Sequence, residues 1–308
     1  MPASQSVTSI HGPIISSSDL DAHLALFEAF GMREAGRLDR TEAETAAIWG
    51  TEGQASSEIV LETPGTAFGL RLVRFDPGLD VQIRDPSRGS DAEALKVIDF
   101  YAPDLGAAMA SIEAKGFRFK GDIADYETPE GRFQEAHLWG PDGVVCALIS
   151  GDRPLFEKLA TVRDRLVSEP QSISGPVQDP DVTLAFLKHV LRLDVIHRYG
   201  VDDDSFDALV GTSAHLKLRA WNVGVDTAEP YFGIIHYGLP AGTQTSLIDV
   251  ARPPARGLLG VTVRVDDVAV VAQRAGGATV DMELPGFGPV RSATFQGPNG
   301  AWFQAVQG

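Results

Sequence analysis

Ionisable and aromatic side chains recur at alternate positions on short β-prone runs of the chain. Within residues 135–139, alternation places Glu135, His137 and Trp139 on one face of a strand. Asp99 and Tyr101 share a face of another run, which is otherwise apolar. Imidazole transfers protons near neutral pH, a buried acid needs a partner or a pocket, and a tyrosine can donate a hydrogen bond to a substrate oxygen. We therefore predict acid–base chemistry, with Trp139 lining a ligand cavity. The alternatives are a solvent-facing strand for His137 and a water-facing edge strand for Asp99.

Two further histidines and an arginine are candidates for the same chemistry. His11 precedes a Gly-Pro pair, so the chain turns directly after it and its side chain points either into a cavity or into solvent. His236 lies on a predicted strand and is the candidate base of the C-terminal half, with a core or interface histidine as the alternative. Arg71 and Arg74 suit an anionic substrate, but alternation puts them on opposite strand faces, so at most one points inward. We assign Arg71 to substrate binding.

The composition excludes several classes of partner. The 308 residues include 42 acidic and 26 basic side chains, and the net charge of −16 repels the phosphates of nucleic acids. The single cysteine, Cys146, lies on an apolar run and is interpreted as a core residue. No run approaches the roughly 20 apolar residues that span a bilayer, and residues 1–18 lack the features of a signal peptide. We therefore expect a cytoplasmic protein that acts on a small molecule and has no nucleic acid or membrane partner. A homodimer is left open.

One pattern of elements occurs four times along the chain. The turn Gly-Pro-Asp-Gly at 140–143 returns as Gly-Pro-Asn-Gly at 297–300, each time before a closing strand. In each quarter a β-prone run is followed by an aspartate that opens an amphipathic stretch, at Asp19, Asp104, Asp179 and Asp267. The predicted order in each quarter is βαβββ, with helices near residues 20–30, 105–116, 182–191 and 268–274. The fold class is therefore α+β.

The four modules predict two domains. Modules one and two occupy residues 1–151, and modules three and four occupy residues 174–308. A linker at 152–173 separates the domains, and residues 154–166 have helical spacing.

The Gly-Pro-Asp/Asn-Gly turns and the strand–Asp–helix openings resemble the vicinal oxygen chelate superfamily, which includes glyoxalase I, bleomycin-resistance proteins and type I extradiol dioxygenases. The resemblance covers nearly the whole chain and points to the two-domain, four-module members. It implies that each domain is a pair of βαβββ modules forming one cupped mixed sheet with helices outside. It also implies a divalent metal held by histidines of first strands and glutamates of closing strands.

Most of the metal ligands that the resemblance implies are missing. The first-strand histidine position falls on His11 in module one, Val97 or Asp99 in module two, Ser174 in module three and Gly260 in module four, and the closing-strand glutamate position falls on Ala147 and Gln304. Such side chains hold a divalent ion far more weakly than imidazole and carboxylate do. We therefore expect no cofactor, no tightly bound metal and at most a weak divalent ion, and we assign Gln304 to substrate binding.

These observations lead to three hypotheses about function. The first is a lyase or isomerase that uses side-chain acid–base groups instead of the usual metal. Its expected substrate is an oxygenated, aromatic small molecule. The second is a metal-free protein that binds or sequesters a ligand, as bleomycin-resistance proteins do. The third is a metal-dependent glyoxalase-like or dioxygenase-like enzyme with a weakened site at His11 and Asp99. We place the chemistry in a cup of modules one and two that brings together His11, Asp99, Tyr101 and His137.

Overall fold

The computed structural model describes residues 6–128, 131–151 and 159–308. The strands are β1 Val7–Ser16, β2 Arg33–Arg40, β3 Ala55–Glu62, β4 Gly69–Asp76, β5 Val97–Tyr101, β6 Phe119–Thr128, β7 Gly131–Trp139, β8 Val145–Gly151, β9 Pro170–Pro176, β10 Asp194–Val201, β11 Leu218–Gly224, β12 Tyr231–His236, β13 Gly257–Val265, β14 Val280–Leu284, β15 Gly288–Gln296 and β16 Trp302–Gln307. The helices are α1 Leu20–Ala29, α2 Glu42–Trp49, α3 Leu105–Glu113, α4 Pro180–Phe186, α5 Asp204–Val210 and α6 Val268–Ala275, and a π-helical turn at Leu187–Leu191 follows α4. Within the described ranges, no helix is long and apolar enough to cross a membrane.

Each quarter of the chain forms a βαβββ module, which confirms the predicted α+β class. The modules are β1–β4, β5–β8, β9–β12 and β13–β16. The aspartate that precedes each main helix is its N-cap, because its carboxylate accepts hydrogen bonds from backbone N–H groups of the first turn. The local signals in the sequence therefore place the repeated elements correctly.

The modules pair as one with four and two with three. The first sheet, which we call cup 1, has the strand order β14-β15-β16-β13-β1-β4-β3-β2, and the second, cup 2, has the order β10-β11-β12-β9-β5-β8-β7-β6. Antiparallel pairing of β1 with β13 joins the halves of cup 1, and antiparallel pairing of β5 with β9 joins the halves of cup 2. The expectation that modules one and two share one cup is therefore wrong, because their first strands pair with the other half of the chain.

Part of the segment predicted as a linker forms a β-strand. Its last residues belong to β9, which begins at Pro170. Residues 159–167 contain no helix, and residues 152–158 lie outside the described part of the chain. The helical spacing at 154–166 therefore does not produce a helix in the part that the structure describes.

The two sheets pack back to back through one apolar core. Phe30, directly after α1, contacts Phe100 of β5 with ring centroids 4.7 Å apart. Phe232 of β12 contacts Phe303 of β16 at 5.5 Å. Both contacts join one cup to the other, and the same buried cluster includes residues of all four modules. The concave faces of both cups therefore point away from the shared core.

Two helices that the sequence-based expectations did not include lie at the concave faces. Helix α2 lies between β2 and β3, and α5 occupies the equivalent place between β10 and β11. A capping box begins α2, since the Thr41 hydroxyl accepts from the Glu44 backbone N–H and the Glu44 carboxylate accepts from that of Thr41. The Thr-x-x-Glu spacing is the signal that could have predicted this helix.

Candidate functional site

The two cups differ in what fills their concave faces. In cup 1 the last residue of α2, Trp49, is buried and contacts the rings of Phe75 and Trp302 at 5.9 and 6.4 Å. These rings form an apolar cluster with Ile14 and Val73 of the sheet. In cup 2, helix α5 instead borders a cavity of about 100 Å³. The candidate site therefore lies between modules two and three.

The wall of this cavity is largely aromatic, with a few polar side chains. The aromatic residues are Tyr126, Phe133, Tyr199, Phe206, Tyr231 and Tyr237. The polar residues include Lys96, Asp99, Glu135, His137, Ser172 and Asn222. Ligand sites in proteins commonly combine apolar walls with a small number of placed polar groups.

Strand β7 positions a hydrogen-bonded pair, Glu135 and His137, at the cavity. The two residues lie on the same face, and Nε2 of His137 is 2.8 Å from Oε1 of Glu135. The hydroxyl of Tyr126 donates to Oε2 of the same carboxylate at 3.0 Å. Burial alone would raise the pKa of Glu135, but the hydrogen bond and charge of His137, with Tyr126 and Lys96, hold it below its ordinary value. Glu135 is therefore ionised at neutral pH and accepts a hydrogen bond from Nε2–H of His137, so Nδ1 is the ring nitrogen that remains for proton exchange with a ligand.

Asp99 faces the same cavity from the first strand of module two. Burial, with the negative charge of Glu135, raises its pKa to about 8, and a hydrogen bond from Ser172 opposes the rise only in part. The carboxyl group is therefore protonated at neutral pH and can donate a hydrogen bond or a proton. Cys146, on the opposite face of the neighbouring strand β8, is a buried core residue as predicted.

Lys96 directly precedes β5 and is buried at the cavity. Its Nζ donates to the carbonyl oxygen of Gly89 at 2.8 Å and lies 3.0 Å from the hydroxyl of Tyr237. Burial and the positive charge of Arg84 lower the pKa of Lys96 to about 7, although Glu135 opposes this shift. Sequence reasoning missed Lys96 because it stands alone before an apolar run.

The register of cup 2 allows a test of the implied metal site. One row of paired residues crosses the sheet, and it runs through His137, Ala147, Asp99, Ser172 and Tyr231. Of the residues on the four central strands of this row, only Asp99 carries a carboxylate. Alanine offers no donor, and serine and neutral tyrosine are poor ligands for a transition metal. Glu135 and His137 also face the cavity, but they and Asp99 do not form a compact group of metal ligands among the described residues. The donors of cup 2 therefore do not fit the metal that the resemblance implies.

In cup 1 an arginine side chain lies against one of the implied ligand positions. Arg71 is buried on β4, its Nη1 donates to Oε1 of Gln304, and its Nε lies 3.9 Å from Glu58. Glu58 also accepts a two-point hydrogen bond from Arg40, at 2.9 and 3.2 Å. A buried cation at this position repels a divalent ion. Two of the three predicted substrate-binding residues, Arg71 and Gln304, thus contact each other in cup 1, away from the cavity.

His11 also lies in cup 1 and is buried. Its ring contacts Phe287 edge to face at 4.8 Å, and neither ring nitrogen has a hydrogen-bond partner among the described residues. Burial, with the charges of Arg264 and Arg71, lowers its pKa to about 3. His11 is therefore neutral at physiological pH and a weak base. Because Asp99 lies in the other cup, the predicted metal site that combines His11 with Asp99 is wrong.

The remaining predicted residues surround the cavity at different distances. Tyr101 shares a strand face with Asp99 but is covered by Leu159 and Ala160. Trp139 borders a smaller cleft beside His137, where Lys120 lies over its ring at 5.4 Å. His236 points away from the cavity, since its neighbours Ile235 and Tyr237 line it, and Nδ1 of His236 accepts from the Gly238 N–H at 3.1 Å. Asp99 and His137 are thus the predicted catalytic residues that the structure brings together.

One surface group has the residue types of a metal site. Asp204, Asp207 and His215 lie together at α5, with ligand atoms within 4.8 Å of one another. All three carboxylates around His215 are its hydrogen-bond or ion-pair partners, including Asp202 at 2.7 Å. These contacts raise the pKa of His215 and account for the cluster as an exposed ion-pair network.

The fold is similar to that of solved glyoxalase-type structures. Glyoxalase I from Zea mays matches 97 % of this chain and 92 % of its own, with a TM-score of 0.62 and 16 % sequence identity. A proposed dioxygenase from Bacillus subtilis matches 99 % of this chain and 86 % of its own, with a TM-score of 0.55 and 10 % identity. No protein-family model and no protein of curated function matches the sequence. The chain therefore has the four-module fold of these glyoxalase-type structures, which confirms the resemblance at the level of fold.

Proposed function

We propose that the protein is a metal-independent enzyme that transfers protons on an oxygenated aromatic small molecule, as a lyase or isomerase, in the cavity of cup 2. The observation that carries the proposal is the Glu135–His137 pair facing the same cavity as a protonated Asp99. Two carboxyl groups whose environments drive their pKa values apart provide an acid and a base in one site.

The roles follow from the protonation states. Ionised Glu135 holds Nε2–H of His137 and stabilises the imidazolium that forms when Nδ1 takes a proton from the substrate. Asp99 donates to the substrate oxygen on which negative charge develops. Their strands are separated by β8, so the two backbones lie about 10 Å apart, at roughly 4.8 Å per strand. A small substrate between them can contact both side chains.

The donor sets of both cups support the absence of a metal from this chemistry. The row through Asp99 offers one carboxylate, and in cup 1 the buried Arg71 contacts Gln304, which occupies an implied ligand position. The same arrangement argues against the glyoxalase-like and dioxygenase-like alternatives, whose metal needs several imidazole and carboxylate ligands.

Deuterium exchange tests the proposal before the natural substrate is identified. The protein, dialysed against a chelator, is incubated in D₂O with a panel of aromatic α-hydroxy carbonyl and hydroxylated phenylketone compounds, and loss of C–H signals is followed by NMR. We expect exchange above the protein-free rate for at least one compound, unchanged by chelation. Exchange that occurs only after a divalent metal is added back would contradict the proposal.

A ligand-binding protein without turnover is the second candidate. The observation that favours it is that six aromatic residues line the cavity together with the carboxylate of Glu135, a combination that suits a cationic aromatic ligand. Isothermal titration with cationic and neutral aromatic compounds distinguishes the two functions. Tight binding of cations by a protein that catalyses no exchange on the panel would establish sequestration instead of catalysis.

A further inference from the structure

The lysine at the cavity has the surroundings of a nucleophile rather than those of a structural cation. Lys96 is 7 % exposed. Among the described residues no carboxylate lies within ion-pair distance of its Nζ, whose partners are a carbonyl and a phenol. Burying an ammonium group without a counter-ion is costly, so the neutral amine is the favoured form in such a place.

A fixed positive charge next to Lys96 strengthens this preference. Arg84 is buried, and its guanidinium donates to the carbonyl oxygens of Leu95 and Asp91 at 2.8 and 3.0 Å. These bonds hold the segment before β5 and keep the cation close to the lysine. Burial together with Arg84 lowers the pKa of Lys96 to about 7, so about half of the amine is neutral at pH 7. Lysines are activated as nucleophiles by these two means, desolvation and a neighbouring cation.

The hydrogen bonds of Lys96 also leave one direction of its nitrogen open. Besides its bond to carbon, Nζ has three directions, and the Gly89 carbonyl and the Tyr237 hydroxyl occupy two of them. The Tyr237 hydroxyl can accept from the neutral amine or donate to it, and when it accepts, the lone pair lies in the open direction. Because Lys96 lines the same cavity as Asp99 and His137, a ligand in the cavity is within its reach.

We propose that Lys96 forms an imine with an aldehyde or ketone group of the substrate, which makes the substrate a carbonyl compound. This inference rests on the proposed function only in taking the cup 2 cavity as the substrate site. The amine adds to the carbonyl carbon to give a carbinolamine, and the C–OH bond then breaks with a proton from a cavity acid such as Asp99. One water leaves as the C=N bond forms, and hydrolysis of the imine returns the amine, so no oxidant or reductant is needed.

Reductive trapping on the wild-type protein tests the inference. The protein is treated with acetaldehyde and sodium cyanoborohydride at pH 6 to 9, and mass spectrometry of peptides measures the initial rate of N-ethylation at each of the six lysines. At pH 7 an ordinary lysine of pKa 10.4 is about 0.04 % neutral. We expect Lys96 to react at least ten times faster than exposed Lys217, with half-maximal rate near pH 7. A rate at Lys96 equal to or below that at Lys217 would overturn the inference.

Two variants separate this inference from the proposed proton transfer. His137→Gln should keep rapid ethylation of Lys96 while it loses deuterium exchange. Lys96→Arg, which keeps the positive charge, should lose the trapped adduct at this position, and Lys217→Met serves as the matched control with an unchanged adduct. If exchange is absent but Lys96 is still trapped, the imine inference stands and the proton-transfer proposal fails. If exchange occurs in wild type while Lys96 is not trapped, the imine inference alone fails.

Discussion

At the residue scale, the cavity of cup 2 gathers groups whose pKa values move in opposite directions. Burial and a neighbouring carboxylate raise the pKa of Asp99, whereas the hydrogen bond from His137 keeps that of Glu135 low despite burial. Burial also lowers the pKa of Lys96. At pH 7 the site therefore holds a neutral acid, a carboxylate and a partly neutral amine. Such divergence within one cavity is typical of catalytic sites.

Asp99→Asn should change how stability depends on pH. The pKa of Asp99 is about 8 in the folded protein and near 3.9 in the unfolded chain. Between pH 4 and 8 the folded state holds a proton that the unfolded state has released, so the free energy of unfolding falls as pH rises through this window. Asparagine does not titrate, so in the variant this position no longer lowers the free energy of unfolding between pH 4 and 8. Relative to wild type, the variant should gain melting temperature between pH 4.5 and pH 8.5, by about 2–4 °C for each kcal/mol.

Calorimetry of both proteins at the two pH values measures this difference. The control is Asp281→Asn, which removes an exposed carboxylate of β14. An Asp99→Asn difference that stays constant from pH 4.5 to 8.5, as we expect for Asp281→Asn, would show that Asp99 has an ordinary pKa.

At the element scale, the same helix position closes one cup and leaves a cavity in the other. Helix α2 delivers Trp49 into cup 1, where it packs on Phe75 and Trp302. Helix α5 delivers Phe206, which contacts Tyr126 edge to face at 5.9 Å and lines the cavity. The equivalent helices therefore differ in what they place at the sheet: Trp49 packs on the face of cup 1, whereas Phe206 lines the cavity of cup 2.

Trp49→Ala and Phe206→Ala should have different consequences. Trp49 is buried in an apolar cluster and also lies under the Arg71 guanidinium, so its truncation leaves a void and should lower the free energy of unfolding by about 3–5 kcal/mol. Phe206 already borders empty space, so its truncation should cost less stability and should alter ligand affinity and exchange rate. Urea unfolding and the deuterium assay measure the two effects. A larger loss of stability in Phe206→Ala, or lost exchange in folded Trp49→Ala, would contradict the assignment of the site to cup 2.

Local signals in the sequence predict some of these elements and not others. The N-cap aspartates and the Gly-Pro-Asp/Asn-Gly turns specify α1, α3, α4, α6 and the closing strands within a few residues. The Glu135–His137 face of β7 was also predictable, because strand alternation is a local property. Helix α2 is short, and its amphipathic pattern is weak because its turns are rich in alanine and glutamate. Its capping box was the available signal.

At the scale of the whole molecule, the partner of each module could not be read from local pattern. The pairing of β1 with β13 joins residues about 250 positions apart in the chain, for example Ile10 with Val263. Both possible partners of β1 are apolar first strands of equivalent modules, so hydrophobic pattern does not distinguish them. The placement of His11 with Asp99 failed for this reason. The expected turn directly after His11 is also wrong, because β1 continues through the Gly-Pro pair to Ser16 and pairs with β13 there.

Residues 1–151 should not form a stable domain when they are produced alone. This fragment contains four strands of each cup and would expose the edges of β1 and β5, which pair with β13 and β9 in the full chain. Exposed apolar edges promote aggregation or pairing with another chain. Size-exclusion chromatography and thermal unfolding should show aggregates or a multimer, and co-expression with residues 152–308 should restore a 1:1 complex. A monomeric fragment with a cooperative unfolding transition would contradict this expectation and support the domain division predicted from the sequence.

The account as a whole depends on the location of proton transfer, and a matched pair of histidine variants tests it most directly. His11→Gln and His137→Gln make the same substitution at buried histidines of cup 1 and cup 2. The rate of deuterium exchange is measured for each folded, chelator-treated variant on the compound that the wild type exchanges fastest. We predict a fall of about 10²–10⁴-fold in His137→Gln and a rate within about twofold of wild type in His11→Gln, because His11 lies in the other cup and is a weak base. A wild-type rate in His137→Gln with a large loss in His11→Gln would contradict the central claim.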